Sequence, residues 1–128
     1  MAEARDQRGH LTLDTDVLVV GGGAAGVAAA FTAAKAGVRV LLLEKYGFCG
    51  GAAVAGLSGT VCGMYAATEG AAKPPEQVVF GFADRFIDVM KTKGGITEPQ
   101  RYGNTYTLTH DPLVWREAGD HFLDGQTG

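Results

Sequence analysis

Between Asp16 and Leu43 an apolar run, a glycine cluster, an alanine-rich stretch and a second apolar run follow one another. That order leaves few folds open. Asp16-Val17-Leu18-Val19-Val20 is rich in β-branched and aliphatic residues, which suits a strand buried on both faces of a parallel sheet. Gly21-Gly22-Gly23 breaks the run. Ala24 to Ala36 has the alanine content of a helix, and Gly37 suits its C-terminal cap. Val38 to Leu43 is a second strand. Strand, glycine turn, helix and strand within about 30 residues make a βαβ unit, whose crossover should be right-handed. The predicted fold class is α/β, with an incomplete Rossmann-type parallel sheet.

Within that unit the glycines read Gly21-x-Gly23-x-x-Gly26, and each has a physical reason. Gly21 permits the tight turn out of the strand. Gly23 lets the backbone approach a pyrophosphate, and Gly26 lets the helix pack close to the sheet. The amides at the helix start then face the phosphates, where the helix dipole favours negative charge. Glu44 follows the second strand, 18 residues past Gly26. A carboxylate there can accept hydrogen bonds from both ribose hydroxyls of an adenosine and would repel a 2′-phosphate. The alternative is a glycine-rich turn that holds no ligand.

Further along, Lys45 to Met64 reads as a glycine-rich loop with one short helical turn, and Ala71 to Pro75 as a connector. Glu76 to Lys93 reads as an amphipathic helix, with Val79, Phe82, Ala83, Phe86 and Met90 on its apolar face. Tyr102 to Thr109 is a strand candidate. Asp111-Pro112 has the order of an N-cap followed by a first helical residue. Trp115, Ala118 and Phe122 share a face of that third helix. Residues 1–13 read as a flexible tail, and residues 14–128 as one domain.

Glycine is the compositional outlier, at 20 of 128 residues, about twice the usual share. The net charge is −3 and no basic stripe is present, which argues against nucleic acid as the main partner. Tyr46 to Thr68 carries no charge and is long enough to span a bilayer. Its six glycines, with Ser58, Thr60 and Thr68, make a membrane helix a poor expectation. Met1 to Asp16 has no apolar core of a signal peptide, so a cytoplasmic location is the default.

The run Asp16-Val-Leu-Val-Val-Gly-Gly-Gly-Ala-Ala-Gly-Val-Ala-Ala-Ala resembles the opening of FAD-dependent oxidoreductases. Leu43-Glu44-Lys45-Tyr46-Gly47-Phe48-Cys49-Gly50-Gly51 resembles the same family's second signature. Ala24 stands where many relatives have proline. The resemblance implies FAD as cofactor. It implies contacts from Gly21, Gly23, Ala24, Ala25 and Gly26, from Glu44 and Lys45, and from Cys49, Gly50, Gly51, Ala52 and Ala53. Glu44 would bind the adenosine ribose, and Gly50 to Ala53 would line the flavin. An NAD-binding module, the alternative, has no need of the second glycine loop. Complete members continue into further strands, a substrate domain and a segment closing over the flavin. A protein partner supplying those parts is therefore expected, together with a small-molecule substrate. A truncated, non-catalytic fragment is the other reading.

No residue reads as a general base, so no catalytic residue is assigned. Cys49 and Cys62 are 13 apart, too far for the redox pair of disulfide reductases. Cys49 is either a small buried hydrophobe or a thiol close to the flavin. His10, His110 and His121 lack metal-ligand spacing. Asp84 and Asp88 read as a solvated face. Tyr65, Tyr102 and Tyr106 read as packing residues, and Trp115 as the anchor of the third helix.

Overall fold

The computed structural model describes residues 3–5, 9–69 and 73–124. The βαβ unit forms as expected. Strand β3 (Val17–Val20) pairs in parallel with β4 (Val40–Leu43), in the register Val17↔Val40 to Val20↔Leu43. Helix α1 (Ala24–Lys35) joins them. Ala36 caps α1 and Gly37 follows at φ 86°, a left-handed position that glycine adopts without strain. Asp16 closes the start of the ladder. It accepts hydrogen bonds from the Arg39 backbone N–H (2.9 Å) and guanidinium (2.8 and 3.1 Å).

The expectation of a strand pair buried on both faces is met on one face only. Val17, Val19, Val40 and Leu42 face α1 and are at least partly buried, whereas Leu18, Val20 and Leu43 are 56%, 74% and 57% exposed. Among the described residues the parallel ladder has two strands, and its second face is largely open, with only Leu41 half-buried there.

The rest of the chain packs beyond α1. Helices α2 (Phe82–Thr92) and α3 (Pro112–Asp124) contact each other, and α3 contacts α1. Their shared core holds Val27, Phe31, Cys49, Phe86, Met90, Ala118 and Phe122. The rings of Phe31, Phe82, Phe86 and Phe122 lie 5.0–5.9 Å apart between centroids. This spacing suits tilted and edge-on aromatic packing. The loop after β4 contains a single 3-10 turn, η1 (Gly51–Ala53), as anticipated.

Several expectations need correction. Helix α2 begins at Phe82 and not at Glu76. Gln77 bridges Tyr65, and the Val78 N–H donates to the Met64 carbonyl, so this stretch is extended. Val79 therefore lies outside the helix and is 40% exposed. Asp84, expected on a solvated face, accepts from the Gly81 N–H at 2.9 Å and from the Gln77 amide, and so caps α2. Tyr102 to Thr109 is not one strand. Gly103, at φ 58°, turns β6 (Gln100–Tyr102) back onto β7 (Thr105–Thr109). With β5 (Thr60–Val61) these strands form an antiparallel sheet in the order β5-β7-β6. Within residues 1–13, expected to be a tail, β1 (Glu3–Arg5) pairs antiparallel with β2 (Leu11–Leu13). Ala71 and Ala72 of the expected connector, and Gly125 to Gly128, lie outside the described residues. No described helix is long and apolar enough to cross a membrane.

Candidate functional site

The two glycine-rich stretches meet at the C-terminal ends of β3 and β4. Gly21 leaves β3 at φ 99° and its N–H donates to the Leu43 carbonyl at 2.8 Å. Gly23 bridges Gly50, and the Gly50 N–H donates to the Gly22 carbonyl at 2.7 Å. The backbones touch here. A Cβ on Gly51 would lie 3.0 Å from the Gly23 Cα, and one on Gly26 only 1.8 Å from the Gly21 oxygen. The tight fit at Gly26 is the close helix packing expected of it, whereas the approach at Gly23 is to the second glycine turn.

Gly23 is the N-cap of α1 and supplies no side-chain hydrogen bond, and no acidic residue occupies the first turn. The first intrahelical bond runs from the Val27 N–H to the Gly23 carbonyl. The preceding amides, on the exposed Ala24 and Ala25 and the half-buried Gly26, are therefore free of helical acceptors. An uncapped helix start with such amides, and no acidic residue in its own first turn, has the chemistry that favours an anion.

Glu44 joins the two loops. One carboxylate oxygen accepts from the Tyr46 N–H at 2.9 Å, the other from the Gly22 N–H at 2.6 Å. These bonds, that from Tyr46 foremost, hold its pKa below the ordinary carboxylate value, so it is anionic at neutral pH. Beside it, Val20, Gly21, Leu43, Glu44 and Lys45 line an open recess of about 400 Å³ on the bare side of the ladder. Lys45 is exposed, with its ammonium 4.9 Å from the Tyr46 ring centroid.

Cys49 is buried, and burial pushes its thiol pKa up, with the charges of Asp120 and Glu44 adding to the effect. A raised pKa disfavours the nucleophilic thiolate. Its Sγ fills the space beside Gly22, where an added Cβ would lie 2.5 Å away. Cys62 is exposed and both cysteines are free. Gly50 is buried, Gly51 and Ala53 are half-buried, and Ala52 is exposed in the η1 turn. Of the other singled-out residues, Trp115 reaches this cluster at Gly50, where an added Cβ would lie 3.2 Å from its Cδ1. His10 and His121 are exposed, and Tyr106 donates its hydroxyl to the Lys73 carbonyl. Among the described residues no metal-binding cluster forms.

Sequence reasoning missed Gly22, which stood as a free position between two motif glycines. It is buried, donates to Glu44, accepts from Gly50 and has no room for a side chain. The third glycine in a row was the available signal.

The family described as FAD dependent oxidoreductase matches this chain over residues 16–128. The chain belongs to the FAD-dependent oxidoreductase family. FAD is accordingly its cofactor, and the uncapped helix start, the backbone contact between the glycine turns and the Glu44 carboxylate fit a dinucleotide. The chain is 66% identical over 41 residues to a urocanate reductase of Eggerthella lenta, a match covering 32% of this chain and 7% of that protein. It is 55% identical over 42 residues to a sarcosine oxidase subunit alpha of a Corynebacterium species, covering 33% and 4%. This chain thus matches a small fraction of each relative's length. Among solved structures, THI4 of Thermovibrio ammonificans superposes with a TM-score of 0.50 at 20% identity, over 88% of this chain and 36% of that one. That likeness supports the Rossmann-like α/β fold.

Proposed function

We propose that residues 14–128 are the N-terminal portion of the FAD-binding domain of a flavin-dependent oxidoreductase, holding the ADP moiety of FAD and part of the flavin. The observation that carries this reading is the joining of three groups at one point: the free amides of α1, the nested glycine turns, and the anionic Glu44 between them. The amides of Ala24, Ala25 and Gly26 would receive the pyrophosphate beside Gly21 and Gly23. Glu44 would exchange backbone donors for ribose hydroxyls, with Lys45 at the rim. Gly50, Gly51, Ala52 and Ala53 would carry the chain on towards the flavin, and Cys49 would support the turn from beneath. Bound there, FAD would supply the redox chemistry between a small-molecule substrate and an electron acceptor.

The bare face of Leu18, Val20 and Leu43 favours cover by further polypeptide, and the two-stranded ladder leaves edges for further strands; we assign both roles to a partner chain. The relative named as a subunit is consistent with such an arrangement.

A visible absorption spectrum of the purified chain, taken after FAD addition and desalting, tests the reading. A retained flavin band that disappears in Glu44→Arg supports it. Absence of flavin from the wild-type chain, both alone and co-purified with its partner, sinks it.

A further inference from the structure

Gly50 is held from two sides. Its backbone meets Gly22 and Gly23 on one, and on the other an added Cβ would run into the Val54 side chain and lie 3.2 Å from Cδ1 of Trp115. Trp115 is the chain's single tryptophan. It lies between two further rings, with centroids 4.6 Å from Phe86 and 4.6 Å from His110. His110 is only 6% exposed, and no described group pairs with its Nδ1. A buried polar atom left unpaired costs about 1–3 kcal/mol, so the ring face, and not that nitrogen's hydrogen bonding, is what His110 brings to the cluster. Its backbone is pinned by a hydrogen bond from the His110 N–H to the Gly59 carbonyl (2.9 Å), and Asp111 caps α3 through the Leu113 N–H (2.7 Å).

We propose that His110 and Trp115 form a buttress that fixes the Gly50–Gly51 turn against the Gly22–Gly23 turn, as positioning residues for the flavin end of FAD. The proposal rests on the FAD-binding reading above. Because the buttress backs the second glycine turn and not the amides of α1, it should act on the flavin half of the cofactor and spare the ADP half.

Calorimetric titration with ADP and with FAD separates the two halves. Trp115→Phe and His110→Ala should each weaken FAD about tenfold and ADP less than about twofold, the scale expected when a positioning contact is displaced. His110→Phe, which keeps a ring, should restore the wild-type ratio. Phe122→Leu, in the same core but outside the His110–Trp115 pair, should lower the melting temperature and leave the ratio unchanged. In the absence of cofactor, the Gly50 amide should exchange faster in His110→Ala than in wild type or His110→Phe. An unchanged ratio in both buttress variants, or an equal shift in Phe122→Leu, overturns the buttress and leaves the FAD reading standing. Wild-type FAD binding no tighter than ADP also overturns it. A wild-type chain that binds neither nucleotide overturns both. Should Trp115→Phe fail to fold, the His110→Ala and His110→Phe pair decides by the same criteria.

Discussion

One face of the β3–β4 ladder carries α1, and on the other Leu18, Val20 and Leu43 stand open. The two faces belong to the same eight residues, so local strand preference cannot account for the difference. The covered face is closed by the βαβ unit itself. Residues 24–35 lie directly between the strands in sequence, and Gly26 lets α1 approach until the Gly21 carbonyl would touch any Cβ. The open face needs residues from elsewhere. The proposed nucleotide cradle sits at the C-terminal ends of both strands and is built almost wholly from residues 21–51, so cofactor recognition can be local while cover for the open face is not.

The largest break in this comparison should come from Gly26→Val. The new side chain would drive α1 off the sheet, with overpacking worth about 1–3 kcal/mol and displacement of the amides that receive phosphate. Thermal unfolding should show a drop of several degrees, and ADP and FAD binding should vanish. Wild-type melting and affinity in Gly26→Val would mean that the tight approach of α1 is dispensable.

On the open face, replacing Leu18 and Val20 together by threonine puts β-branched residues at both strand positions and removes apolar surface from solvent. At exposed positions the change in stability should stay within about 0.5 kcal/mol. Association with a partner should weaken, as should self-association, since an open apolar sheet face and edge invite pairing. Sedimentation of the double variant beside wild type measures this. Unfolding of the dilute, monomeric variant would show instead that this chain covers the face itself.

The same contrast explains what could be read in advance. The placement of Gly21, Gly23, Gly26 and Glu44 at one turn was legible because it depends on neighbours close in sequence or on one turn-helix-strand spacing. The Asp111 cap and the Gly37 stop were legible for the same reason. The start of α2 was not. Glu76 to Phe80 has helical periodicity, but backbone pairing to Met64 and Tyr65 holds it extended, a tertiary contact that overrides propensity. Gly103 split the expected strand into a hairpin because a left-handed turn there brings Tyr102 opposite Thr105. The burial of Gly22 depends on Cys49 and Glu44 arriving from a different loop, and the contact of Trp115 with Gly50 spans 65 positions of sequence. No local pattern encodes either.

The smallest effect belongs to the end of the ladder farthest from the cradle. Hydrogen bonds from the Arg39 guanidinium, then from its backbone N–H, hold the Asp16 pKa at about 2 against an ordinary 3.8. The folded-state value is the lower one, so the stabilisation is fully present above pH 3.8 and fades as the pH falls towards 2. Both side chains are about half exposed, so solvent and salt screen the pair and its contribution is small. Asp16→Asn should therefore lower the melting temperature slightly at neutral pH and not at all near pH 2, and added salt should narrow the gap. Because, among the described residues, the Asp16 carboxylate pairs with Arg39 at the opposite end of β3 from Gly21, ADP affinity at neutral pH should be unchanged. A loss of affinity in Asp16→Asn would mean that the closed end of the ladder and the cradle are mechanically coupled along β3, and that the covered face works as one unit.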